Sequence, residues 1–120
     1  MTTAPDDLPF WERPETVDRF AGRDPDHRLR ELVGEYPEPR KARILDLGCA
    51  GGRNTVYLAG LGFDVIAIDS SVAMVTETRR RLAAVVSSEE AELRVRMARM
   101  DDLSLLLDGT VDFVVALGIL

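Results

Sequence analysis

The chain has 120 residues, 46% hydrophobic and 30% charged, with a net charge of −6 and a single cysteine. That is enough for one domain with a modest core. It excludes an intramolecular disulfide, disfavours a broad nucleic-acid surface, which would be basic, and contains no apolar run near the ~20 residues of a transmembrane helix. The acidic N-terminus, MTTAPDDLPFWERPE, lacks the basic and apolar regions of a signal peptide. A reducing, cytoplasmic setting is therefore expected, with no membrane role.

Residues 1–10 carry no anchoring pattern and read as a flexible N-terminus. A helical segment is expected over 11–40. Residues 11–20 form a short helix that tolerates Pro14 in its first turn. Asp24 caps a second helix with Pro25 at its first position, and Leu29, Leu32, Val33 and Tyr36 form its apolar stripe. His27, in that helix's first turn, reads as a surface residue.

From 41 to 120 the pattern is α/β. Residues 43–47 are strand-length and apolar, and Gly48, Gly51 and Gly52 follow at once. Residues 54–61 read as a helix with Val56, Leu58, Ala59 and Leu61 as apolar positions, stopped by Gly60 and Gly62. Residues 63–68 form a second strand ending at Asp69. Ser70 or Ser71 caps a helix running to about Val86, with Val72, Val75, Leu82 and Val86 inward. Arg79, Arg80 and Arg81 form a solvated face, with Glu77 an i, i+4 partner of Arg81. Residues 87–90 read as a loop.

Residues 92–97 then alternate. Leu93, Val95 and Met97 face one way, and Arg94 and Arg96 the other. The first two strands show no such alternation and read as buried on both faces. The third strand therefore belongs at a sheet edge. Asp108-Gly109 is a turn signal, and residues 111–120 form a strongly apolar fourth strand.

Alternating strands and helices predict a parallel sheet with right-handed crossovers. The expected fold is α/β: a Rossmann-like parallel sheet of order 3-2-1-4 with helices on both faces, preceded by N-terminal helices. A ligand crevice opens at the carboxyl ends of the first and fourth strands, where the strand order reverses.

The chemistry concentrates in residues 43–71. Glycines let the backbone turn sharply and let a ligand approach. The helix N-terminus behind them offers free N–H groups and a positive dipole end. Asp69 stands about 20 residues beyond Gly48, the spacing at which a carboxylate meets a ribose in nucleotide-binding βαβ units. Cys49 has no neighbouring base and reads as a packed, inert thiol.

Four blocks together resemble class I methyltransferases that use S-adenosylmethionine. They are Asp46-Leu47-Gly48-Cys49-Ala50-Gly51-Gly52; Asp69-Ser70-Ser71 with Met74; Met100-Asp101-Asp102-Leu103; and Val111-Asp112-Phe113-Val114-Val115-Ala116-Leu117-Gly118. The resemblance implies that Gly48, Cys49, Ala50 and Gly51 pass beneath the methionine part of S-adenosyl-L-methionine, whose ammonium Asp46 helps orient. It places Asp69 on the ribose hydroxyls, Ser70 and Met74 beside the adenine, Met100 and Asp101 or Asp102 on the adenine, and the Ala116–Leu117 backbone near the ammonium or sulfonium. Ala50 stands where the family usually has glycine, and Arg99 where it often has the adenine-contacting acid.

The implied activity is methyl transfer to a small-molecule acceptor. No general base stands out, and nucleic acid is disfavoured as a partner. The family continues with a helix and three more strands, so the chain reads as the cofactor-binding part of a longer domain, truncated after the fourth strand. The alternative is a homodimer or another chain pairing with the exposed fourth-strand edge. Two competing functions are a non-catalytic interaction module of the same shape and a nicotinamide-dependent oxidoreductase. For the latter, Ala50 and Arg53 occupy the two later glycine positions of G-x-G-x-x-G.

Overall fold

The computed structural model describes residues 8–99 and 111–117. Its four strands are β1 (Arg43–Leu47), β2 (Asp64–Asp69), β3 (Val95–Met97) and β4 (Phe113–Val115). All pairings are parallel and the order is β3-β2-β1-β4. The edge position expected for the third strand therefore holds. The helices are α1 (Pro14–Ala21), α2 (His27–Gly34), α3 (Arg53–Leu61), α4 (Val72–Leu82) and α5 (Ser88–Arg94).

Parallel strands alternate their side chains between the two faces of the sheet. Ile44, Val65, Ala67 and Val95 are buried on one face with Leu29, Leu58, Val75, Leu82 and Ala91 from α2 to α5. Leu45 and Ile68 point to the other face, where Leu47, Ile66, Ala98 and Val111 pack on them. The helices of the β1–β2 and β2–β3 crossovers share a face because both connections step the same way with the same hand.

Several boundaries differ from the sequence expectation. The second helix is capped by Asp26, not Asp24. Asp26 Oδ1 accepts from Arg28 N at 2.9 Å, and Asp26 N donates to Asn54 Oδ1 at 2.9 Å. Leu32 leaves the expected stripe and is 78% exposed, while Val33 and Tyr36 pack on the core. α3 turns Asn54, Thr55 and Leu58 inward and exposes Leu61. Gly60 lies within it, and Gly62, at φ 104°, ends it. α4 stops at Leu82; it exposes Val72 and buries Met74, Val75 and Thr78.

Residues 87–90 are not a loop. Ser87 caps α5 by accepting from Glu90 N at 3.1 Å, with Glu89 and Glu90 in the helix's first turn. α5 absorbs Leu93 and Arg94, so β3 is only three residues long, and Leu93 and Met97 are exposed while Val95 alone is buried. Arg79 is not a free member of the arginine face: its guanidinium donates to Val95 O at 2.7 and 2.9 Å and pins β3. Arg80 and Arg81 pair with Glu77. The expected Asp108-Gly109 turn lies outside the described residues.

Candidate ligand site at the strand carboxyl ends

Where β1 ends, the backbone takes a run of left-handed conformations: Gly48 at φ 69°, Ala50 at 47°, Gly51 at 90° and Gly52 at 93°. The N–H groups of Gly48 and Cys49 both donate to Ile68 O, at 2.9 and 3.1 Å, which holds the turn against the tip of β2. Ala50 is the position where positive φ is hardest to accommodate, because a Cβ in this region costs of order 1 kcal/mol.

Asp69 closes β2 directly across from this turn. Its Oδ2 accepts from Ala50 N at 3.1 Å and its Oδ1 from Ser71 N at 2.9 Å. The carboxylate is thus fixed in orientation by one backbone donor on each oxygen. A carboxylate has about four lone-pair sites, so each oxygen retains capacity for a further donor.

Asp46 lies one layer deeper and is 2% exposed. Thr55 Oγ1 donates to its Oδ2 at 2.7 Å. Burial pushes the carboxyl up to about 6; nearby Asp69 adds to this, while Thr55 and Arg53 oppose it. Oδ1 accepts no hydrogen bond from any of the described residues. A deep carboxylate with one oxygen held and one to spare suits a cationic donor. Register pairing of Asp46 with Val115 brings the end of β4 alongside.

The sequence-predicted residues are therefore partly assembled. Asp46, Gly48, Ala50, Asp69 and the exposed Ser70 gather at the carboxyl ends of β1 and β2. The Cys49 side chain turns away: its Sγ lies 3.4 Å from Thr78 Oγ1, and burial pushes the thiol up, so only its backbone can serve a ligand. Met74 is wholly buried beneath α4 and belongs to the core, not to a ligand wall. Leu117 packs its side chain on the Ile44–Val65 core, leaving its backbone for the site.

Gly51 and Gly52 are also closely packed. A Cβ there would stand 2.7 Å from Ala21 Cβ, and one on Gly52 would stand 2.9 Å from Thr78 Cγ2. These two glycines admit the close approach of α1 and α4. Met100, Asp101 and Asp102 lie outside the described residues.

Sequence reasoning missed Thr55 and Glu12. Thr55 could have been found from its place with Asn54 and Leu58 on one helical face. Glu12 carries no local signal. The N-terminal segment lies against the domain near α3. Phe10, Trp11 and Phe20 stack with centroids 5.0 Å apart, and Arg53 donates to Asp24 O at 2.9 Å. The rings pack within the N-terminal segment, and the Arg53–Asp24 bond ties that segment to α3. His27 is exposed, as expected of a surface residue.

A parallel sheet with this switch point, glycine turn and strand-tip acid defines a Rossmann-like nucleotide-binding fold. Residues 44–120 match the family model described as "Methyltransferase domain", and the chain belongs to that family. It is 34% identical over 90 residues to the ubiquinone biosynthesis O-methyltransferase of Xanthomonas axonopodis pv. citri, covering 75% of this chain and 36% of that protein. It is also 34% identical over 77 residues to the probable S-adenosyl-L-methionine-dependent methyltransferase TehB of Haemophilus influenzae, covering 62% of this chain and 24% of that one. The chain thus spans about a quarter to a third of these relatives' lengths. The crystal structure of YjhP from E. coli shares the fold, with a TM-score of 0.54 and 21% identity over 84% of this chain and 42% of that one.

Proposed function

We propose that the chain binds S-adenosylmethionine at the carboxyl ends of β1 and β2 and is the cofactor-binding part of a methyltransferase acting on a small molecule. The observation that carries this reading is the Asp69 carboxylate, held at the β2 tip by Ala50 N and Ser71 N with acceptor capacity left on both oxygens. A vicinal diol supplies two hydroxyl donors to such a group. Asp46, deep and raised towards neutrality, is the counter-charge for an ammonium. Gly48 and Ala50 present the backbone between these two acids, and the backbone of Cys49, Ala116 and Leu117 borders the same edge. Ser70 is exposed at the β2 tip, where the adenine would lie.

When bound, the cofactor supplies an electrophilic methyl group on a sulfonium. The chain's task is then alignment of an acceptor with that methyl, which can contribute on the order of 7–11 kcal/mol. The small-molecule reading rests on relatives named for such substrates: a ubiquinone biosynthesis O-methyltransferase and a trans-aconitate 2-methyltransferase. Residues 41–120 form the ligand-binding part and 11–40 its helical front. No helix among the described residues is long and apolar enough to cross a membrane.

A titration decides between ligands. S-adenosylhomocysteine at ~100 times its dissociation constant stabilises a fold by about 2.7 kcal/mol, and NAD at the same concentration leaves it unmoved. Stabilisation by NAD alone overturns the proposal. A second reading, an interaction module, draws on Phe113 and Val114, 45% and 55% exposed on edge strand β4. It predicts no response to either ligand and self-association or partner capture through that edge.

A further inference from the structure

Glu12 lies in the 3-10 turn Phe10–Glu12, ahead of α1. Its Oε1 accepts from Val72 N at 2.8 Å and its Oε2 from Ala73 N at 2.9 Å. Those are the first two residues of α4, whose free N–H groups and positive dipole end favour an acid. The first turn of α4 contains no acidic residue of its own. The acid arrives instead from 60 residues upstream.

The same junction is tied a second time. Ser71 Oγ donates to Trp11 O at 3.1 Å and accepts from Met74 N at 3.2 Å. Ser71 is also the residue whose backbone N–H holds Asp69 Oδ1, and Asp69 Oδ2 in turn holds Ala50 N. A connected path runs from Glu12, through the start of α4 and Ser71, to Asp69 and the left-handed Ala50 turn. Both ends of the path are anchored: Glu12 by two N–H groups, and the turn by Ile68 O.

We propose that Glu12 is a positioning residue for the ligand site. It touches no ligand. Its carboxylate fixes the first turn of α4, which fixes the Ser71 N–H, which sets the orientation in which Asp69 offers its remaining lone pairs. The effect on ligand affinity rests on the adenosyl reading of the site; the effect on the loop does not.

The test is Glu12→Gln, which keeps the shape and one acceptor, with Glu12→Ala as a harsher companion. Two readouts are taken. Amide hydrogen exchange in the free protein is expected to quicken at Val72 and Ala73 and also at Ser71 and Ala50. S-adenosylhomocysteine affinity is expected to fall about three- to thirtyfold, the range of couplings inside one hydrogen-bond network. In an Asp69→Asn background the same Glu12→Gln change is expected to cost less than about twofold, because its route to the ligand is already cut.

Faster exchange confined to Val72 and Ala73 overturns the proposal, as does an equal loss of affinity in both backgrounds. Should the unaltered chain fail to bind S-adenosylhomocysteine, the adenosyl reading falls, and exchange at Ser71 and Ala50 alone decides the role of Glu12. Should Glu12→Ala fail to fold, Glu12→Gln carries the test.

Discussion

Asp69 Oδ2 accepts the backbone N–H of Ala50 at 3.1 Å, a contact between the tip of one strand and the turn that leaves its neighbour. A single carboxylate therefore does two things. It stabilises a left-handed residue that has no glycine to ease it, and it is the leading candidate to hold a ligand. Separating these roles requires stability and affinity to be measured on the same variant. Asp69→Asn is expected to weaken S-adenosylhomocysteine by about 1–3 kcal/mol, the scale of a charge-assisted hydrogen bond, and to cost about 1 kcal/mol of folding stability. Calorimetric titration reads the first and urea unfolding the second. Lost stability with unchanged affinity would leave Asp69 a purely structural residue.

The turn itself is strained at one identifiable place. Ala50 has φ 47°, and it is the one non-glycine residue with positive φ among those described. Removing its Cβ relieves of order 1 kcal/mol, offset in part by the greater freedom of glycine in the unfolded chain. Ala50→Gly is expected to raise the urea midpoint by a few tenths to about 1 kcal/mol equivalent and to leave the Asp69 contact intact. A fall in stability would show that the Ala50 methyl makes a packing contribution larger than its strain.

Gly51 behaves oppositely, because its empty side is filled by α1. An added methyl meets Ala21 Cβ at 2.7 Å and the Ala21 backbone at 3.0 Å, at a backbone φ of 90°. Gly51→Ala is expected to destabilise by about 2–4 kcal/mol through clash and backbone strain together. Pairing it with Ala21→Gly removes the side-chain clash and is expected to recover part of the loss. Absence of any recovery would assign the cost to backbone strain and to the clash with the Ala21 backbone. Either result is read from urea midpoints.

The sheet was readable because its determinants are local. β1 and β2 are short apolar runs bounded by glycine and acid, and the alternation around Val95 marked an edge strand even though only three of its residues form it. The turn and Asp69 were readable for the same reason: spacing along the chain reflects the fixed geometry of one βαβ unit. What escaped is what crosses the chain or inverts polarity. Asn54, Thr55 and Thr78 face inward as hydrogen-bonding residues, so an apolar count misplaces the buried faces of α3 and α4. The resemblance put Met74 beside the adenine, yet its place on the inner face of α4 carries it into the core. Glu12 acts on Val72 across 60 residues, and no periodicity encodes such a contact. Ser87 and Glu90 did carry a capping signature for α5, hidden by the polar composition that suggested a loop.

Asp46 supplies a pH signal of definite sign. Its carboxyl titrates near 6 in the folded chain, raised chiefly by burial, against about 3.9 for an unfolded aspartate. Between those values the folded state holds a proton that the unfolded state has released. This group's contribution is therefore full below about pH 4 and is lost as pH rises through about 6, amounting to roughly 2–3 kcal/mol. Asp64 and Glu77, whose arginine partners hold their carboxyls low, act in the opposite direction. The measurement is accordingly a difference: urea midpoints of the unaltered chain and of Asp46→Asn between pH 4 and 7.5. The gap between the two is expected to move against the unaltered chain as pH rises, most steeply at about pH 5, and to level off above about 6. Thr55→Val removes the hydroxyl that holds the ionised form, so it should shift that change to higher pH. An ammonium-bearing ligand needs the charged carboxylate, so S-adenosylhomocysteine affinity should climb over the same interval in which intrinsic stability declines. Parallel stability profiles for the unaltered chain and Asp46→Asn would show that Asp46 is ionised throughout, and an affinity that ignores pH across this interval would remove it from the ammonium site.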